Sequence, residues 1–261
     1  MNRFLLSIVV LTLFGVPALV SAAAPEPNAG LPAESGVVQI AALIKAYGGR
    51  EKLAKVHSLY VRGYQKVYQA DNDGWVTSYL LRPDKYRIET ELHRNSSIRV
   101  LAAGSSWMAN AADDPLVTAD PLTGEWLTFL FNCHDLPLAL AEGKWQLVPV
   151  EAAQKNAPAK GQLILKNSAG IRLTVTVNSS TNLIDSISGT IGDENNRVVI
   201  GMEFQDYREV DGIIVPYRIV SNYAGKPYAL FTIAEIHING EMAGELFAPE
   251  AEESGNGPVT E

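Results

Sequence analysis

The stretch from Val198 to Asn239 limits the fold more than any other. Val198, Ile200, Met202 and Phe204 fall on one side of an extended chain, while Gly201, Glu203 and Gln205 fall on the other. That is the period of a half-buried strand. Asp211-Gly212 then supplies a pair suited to a tight hairpin, after which Ile213, Val215, Tyr217 and Ile219 alternate again. Ala224-Gly225-Lys226-Pro227 turns the chain once more. The third strand carries Leu230 and Ile236 on one side and Phe231 and Ile233 on the other, so its first half must be covered on both faces. This is an antiparallel meander with one oily face and a partly covered back.

The same rhythm runs upstream. Leu59, Val61, Gly63 and Val67 oppose Tyr60, Tyr64 and Tyr68; Asp71-Asn72-Asp73-Gly74 turns; and Trp75 to Leu81 returns. Tyr86, Ile88, Thr90 and Leu92 alternate with Lys85, Arg87, Glu89 and Glu91 in a one-sided strand. Ile98, Val100 and Ala102 predict the next strand, and Trp107 to Ala109 begins another that ends in the loop from Asn110 to Asp120. Strands resume at Trp145 to Val150, Gln162 to Lys166, Ile171 to Val177 and Asn182 to Ile191.

Two regions break this pattern. Val37 to Tyr47 follows helical spacing and stops at Gly48-Gly49, which tolerate positive φ, before a short helix from Arg50 to Lys55. Gly124 to Glu142 groups Trp126, Leu127, Phe129, Leu130, Phe131, Leu136, Leu138 and Leu140 without alternation, and reads as helix that Pro137 splits in two. Roughly ten strands with short turns and a few helices predict one α+β domain, whose long sheet either closes into a barrel or wraps around its helices.

The ends carry separate signals. Arg3, the apolar run Phe4 to Val20 and the small residues Ser21-Ala22-Ala23-Ala24 read as a secretory signal peptide, residues 1–22, cleaved near Ala22. Residues 23–36 read as a flexible leader and residues 251–261 as a disordered acidic tail. Cys133 is the only cysteine, so no internal disulfide and no lipidated N-terminal cysteine is expected. A net charge of −8 argues against nucleic acid and against charge-driven adhesion to anionic membranes. No segment after the signal peptide has the apolar length of a spanning helix, so no stable membrane anchor is expected.

Catalytic patterns are missing. His57, His93, His134 and His237 sit in four different elements, and Cys133-His134 are helix neighbours whose side chains point about a quarter-turn or more apart. Gly-x-Ser-x-Gly, His-Glu-x-x-His and Gly-rich phosphate loops do not occur. Glu89 and Glu91 lie on the polar side of a strand. The expectation is a non-enzyme without catalytic residues, metal ligands or cofactor.

Several stretches carry a family resemblance. They are Ala46-Tyr47-Gly48-Gly49 with Arg50-Glu51-Lys52-Leu53, Leu59-Tyr60-Val61-Arg62-Gly63, Tyr207 to Pro216, and the closing Ile236-His237-Ile238-Asn239 and Phe247-Ala248-Pro249. Together they resemble the outer-membrane lipoprotein carrier (LolA/LolB-like) superfamily, over both ends of a single domain spanning residues 37–250. The resemblance implies a strongly curved antiparallel sheet, a half-open barrel, with helices covering its concave face. It implies a soluble periplasmic carrier, chaperone or transport protein of lipoprotein sorting that binds acyl chains of lipids or lipoproteins in a hydrophobic cavity. Wall candidates, apolar and on helices or inner strand faces, are Trp107, Trp126, Phe129, Leu130, Phe131, Ile200, Met202, Phe204 and Tyr217. The carrier's cavity arginine, which tethers its lid, maps to no single residue among Arg62, Arg82, Arg87, Arg172 and Arg218. An alternative with the same fold is a sensor or interaction module whose partner is an envelope protein and whose core is filled.

Overall fold

The computed structural model describes residues 33–68, 70–148 and 161–249. The expected signal peptide, most of the leader and the acidic tail lie outside the described residues.

Two meanders build the molecule. The first contains β1 (Ser58–Val67), β2 (Gly74–Leu81), β3 (Lys85–Leu92), β4 (Asn95–Ala102), β5 (Ser105–Ala109) and β6 (Val117–Thr118). The second contains β7 (Trp145–Leu147), β8 (Gln162–Asn167), β9 (Arg172–Val177), β10 (Ile184–Ile191), β11 (Val198–Val210), β12 (Ile213–Tyr223) and β13 (Lys226–Ile238). They join where β1 pairs with β13, giving one open antiparallel sheet in the order β6-β5-β4-β3-β2-β1-β13-β12-β11-β10-β9-β8-β7. Among the described residues thirteen strands replace the roughly ten expected. One of the additions is β6, a two-residue strand inside the expected loop that pairs with Trp107 and Met108.

Among the described residues three α-helices accompany the sheet: α1 (Ala33–Ala46), α2 (Arg50–Leu53) and α3 (Pro121–Ala141). Helix α1 begins four residues before the expected Val37, and Gly36 lies buried against the Leu147 side chain of β7. Asp120 caps α3, its Oδ1 accepting from the Thr123 N–H at 3.1 Å and its Oδ2 from the Thr123 hydroxyl at 2.6 Å, with Pro121 entering the first turn.

Pro137 does not split α3, which runs unbroken from Pro121 to Ala141. Proline removes one backbone donor and crowds the carbonyl four residues back, here that of Cys133. Burial on both sides of that turn outweighs the loss: Leu130, Cys133, Leu136, Leu138 and Leu140 are all enclosed. Arg82, in the turn after β2, adds a clamp. Its Nε donates to Asp135 Oδ1 at 2.6 Å, and Nη1 and Nη2 donate to the two Glu142 oxygens at 2.6 and 2.9 Å.

The Asp211-Gly212 turn forms as expected, both residues adopting positive φ (49° and 79°). Helix α3 contacts β3, β4, β5 and β10. The main core unites α1, α2 and α3 with the facing side of the sheet, from Tyr86 and Ile88 on β3 to Leu173 and Val175 on β9. A second, smaller cluster lies on the opposite face, where Phe247 covers Val100 and Ala102.

Candidate ligand cavity beside the long helix

The residues that wall the cavity come from the start, middle and end of the domain. Leu53 from α2, Pro137 and Leu138 from α3, Ile184 from β10, Phe204 from β11 and Ile219 from β12 enclose a space of about 80 Å³. Its apolar character follows from strand alternation, since Ile213, Val215 and Ile219 share one face of β12.

The polar groups in the wall are already committed. Tyr207 OH donates to the Ile184 carbonyl at 2.5 Å, Tyr47 OH lies 2.9 Å from Tyr207 OH, and the Ile184 N–H donates to Tyr47 OH at 3.4 Å. Tyr47 OH therefore gives its one proton to Tyr207, and neither hydroxyl keeps a donor for a guest. Burial pushes the Tyr47 phenol up to about 12, and Tyr207 is likewise raised by burial. Cys133 and His134 also line the space. Burial raises the Cys133 thiol well above its ordinary value and lowers His134 to about 4, while the His134 ring stacks on Tyr86 with centroids 5.8 Å apart. At neutral pH the wall is uncharged: it can hold an apolar group, and it supplies neither thiolate nor imidazolium. Among the described residues no three His, Cys, Asp or Glu side chains gather in a metal-binding group.

The nine wall candidates divide. Phe204 lines the cavity. Ile200 and Met202 share its face of β11 and are buried in the main core, as are Phe129 and Leu130. Phe129 packs over Gly189 of β10, where an added Cβ would lie 3.1 Å from the ring. Trp126, Phe131 and Tyr217 are half-buried at the edge of that core. The Arg208 guanidinium sits 4.2 Å from the Tyr217 ring centre. Trp107 lies on the far side of the sheet, in the cluster around Phe247. It stands opposite Val100, whose side chain also faces away from α3.

A second depression, open and about 500 Å³, lies over β10 and β11. Gly201 gives it a bare floor between Ser188 and Asn222, and its rim includes Glu203, which accepts from Asn222 at 2.9 Å. The larger space is thus the more polar one.

Arg99 escaped the sequence reading. Ile98, Val100 and Ala102 looked like the core side of β4, yet Arg99 and Leu101 are the residues turned toward α3. The signal was in the hairpin: a turn at His93-Arg94 sets Thr90 opposite Ser97, Ile88 opposite Arg99 and Tyr86 opposite Leu101. Arg82 was one of five arginines that the sequence left equivalent, and it is the one that clamps α3.

A large open antiparallel sheet with one long helix and a small apolar cavity defines the molecule as an α+β protein. No family model and no curated protein matches the sequence. Among solved structures the chain is similar to a domain described as an outer-membrane lipoprotein-sorting protein from Vibrio parahaemolyticus, with 9% identity over 78% of this chain and 95% of that one, TM-score 0.46. A DUF1329 family protein from Desulfovibrio piger shows 10% identity over 83% and 97%, TM-score 0.46. A LolA superfamily protein from Nitrosomonas europaea shows 11% identity over 84% and 98%, TM-score 0.47.

Proposed function

We propose that this is a periplasmic lipid-binding, lipoprotein-carrier-like protein that sequesters an acyl chain between α3 and the concave side of a half-open barrel. The observation that carries the reading is the cavity beside Pro137, walled almost wholly by aliphatic and aromatic groups. An acyl chain needs no more than such walls, each buried methylene contributing about 0.8 kcal/mol.

The path of α3 supports the curvature. The helix connects β6 to β7, the two edges of the sheet. Twelve strand spacings of about 4.8 Å would separate those edges by about 58 Å in a flat sheet, whereas 21 helical residues rise about 31 Å. The remaining linker residues are too few to make up the difference, so a curled sheet suits the chain.

At about 80 Å³ the cavity is smaller than its guest. Pro137 provides for expansion, because the turn at Cys133 lacks its backbone hydrogen bond and offers α3 a place to bend away from β12. The small volume also favours a second reading, the interaction module with a filled core and an envelope protein as partner.

Native mass spectrometry of protein purified gently from a periplasmic extract separates the two. An added mass that resolves on denaturation into a fatty acid, a phospholipid or an acylated protein is the expected result. A bare mass, unchanged after incubation with lipid vesicles, sinks the carrier reading and leaves the interaction module.

A further inference from the structure

Arg99 is an arginine with only 6% of its surface exposed, on the side of β4 that faces α3. Ile88 and Met108 stand opposite it on the neighbouring strands. Its Nη1 donates to Ser97 Oγ, and Ser97 in turn shares a 2.7 Å hydrogen bond with Thr90 Oγ1. Among the described residues no acceptor takes Nε or Nη2 and no carboxylate pairs with the guanidinium. Asp120, whose field reaches it, is occupied in capping Thr123. The Trp126 ring lies 5.8 Å from the guanidinium carbon, near the outer limit of about 6 Å for a cation–π contact.

A buried charge is costly unless it is paired, and a guanidinium stays charged at neutral pH. Burial lowers its pKa from the ordinary value, with Asp120 and Tyr228 opposing. The two nitrogens left over matter by their identity. Nε and Nη2 form the edge that presents two parallel N–H groups, the geometry that receives both oxygens of a carboxylate. Neither is sealed off: the fully enclosed, unpartnered side-chain atoms among the described residues are Oε1 of Gln39 and Oε1 of Gln162.

We propose that Arg99 is an anion site that grips the carboxylate head of a single-chain amphiphile, of the free fatty acid class, while the chain runs along the inner face of α3 toward Pro137. Trp126, which approaches Arg99, is separated from Pro137 by eleven residues, about 16 Å of helix. The protein's overall charge of −8 repels anions at large, so recognition must be local to this side chain. The assignment rests on the acyl-chain reading above, and it narrows the ligand from esterified lipid, which has no free carboxylate on its chain, to one that does.

The test compares palmitate, methyl palmitate and acetate by calorimetric titration, with wild type, Arg99→Gln and Arg99→Lys. Wild type should bind palmitate about tenfold or more tightly than its methyl ester. Arg99→Gln should bring palmitate down to the ester's affinity, and Arg99→Lys, which keeps the charge without the fork, should fall between. Equal binding of acid and ester by wild type, or a preference that survives in Arg99→Gln, overturns the Arg99 site while leaving the acyl reading in place. Acetate competing as well as palmitate overturns the amphiphile and leaves a small-anion site. Failure of both palmitate and its ester overturns both readings. If Arg99→Gln does not fold, the wild-type acid-to-ester ratio and the folded lysine variant decide.

Discussion

A Cβ on Gly48 would stand 2.5 Å from the carbonyl oxygen of Gly212. The contact locks the helix end Ala46 to Gly49 against the β11–β12 turn, two stretches that carry the family resemblance from opposite ends of the chain. The Ile214 N–H donates to the Tyr47 carbonyl at 3.1 Å beside it, and the two tyrosine hydroxyls meet one turn away. Glycine is required twice here, for the close approach and for a φ of 118°. Gly48→Ala should lower unfolding free energy by about 2–4 kcal/mol in urea titration. A loss under about 0.5 kcal/mol would mean that the two segments do not press on each other.

Removing the clamp on α3 should be costly. Arg82→Ala would leave Asp135, whose side chain is 8% exposed, without its partner, so that the carboxyl must either stay charged and unpaired or take up a proton, a loss of about 3–5 kcal/mol. Hydrogen exchange should quicken first in the C-terminal half of α3, around Leu136 to Glu142. Uniform quickening over the whole sheet would instead mark Arg82 as a general support of the fold.

The same clamp predicts a dependence on pH. Burial raises Asp135 from its ordinary value to about 6, with Arg82 opposing it. A carboxyl raised on folding adds stability that is complete below about pH 4 and is lost as pH climbs through 6, on the order of 2–3 kcal/mol. Glu142 runs the other way: the Arg82 hydrogen bonds lower its pKa, so its share is present above its unfolded value and fades in acid. Stability of wild type relative to Asp135→Asn, followed by urea midpoints, should therefore fall between pH 4 and 6. A flat difference across that window would place the Asp135 proton elsewhere.

Pro137 should set the ease of opening. Pro137→Ala restores the donor that the Cys133 carbonyl lacks, so stability should rise by about 1 kcal/mol and the uptake of a fluorescent fatty acid should slow several-fold. Unchanged uptake kinetics would remove Pro137 from the path of the ligand.

The sequence showed the meanders because alternation along each strand is a local property, and β11, β12 and β13 follow it closely. It located the Asp211-Gly212 turn for the same reason. Helix α3 was visible as a region, but Pro137 was read by its local cost, whereas burial and the distant Arg82 keep the helix whole. The sides taken by Arg99 on β4 and Trp107 on the neighbouring β5 were not legible because these strands are clothed on both faces, by α3 on one and by the Phe247 cluster on the other, so apolarity alone could not tell inside from outside. The cavity mixes α2, α3, β1 and β10 to β13, and only Phe204 of the nine candidates reaches it. No spacing rule joins residues so far apart in the chain.

The seam between β1 and β13 also orders the protein's assembly. Leu59 pairs with Ile238 and Val67 with Ala229, so the middle of the sheet is closed by the last strand of the described residues to be synthesised. Each meander can zip locally, but until Tyr228 to Ile238 arrives the first half keeps a long bare edge at β1 and the second keeps one at β12. Such edges recruit strands from other chains, and a sheet whose deciding contact spans nearly the whole domain forms late. A chain halted before β13 would therefore aggregate as two sticky halves.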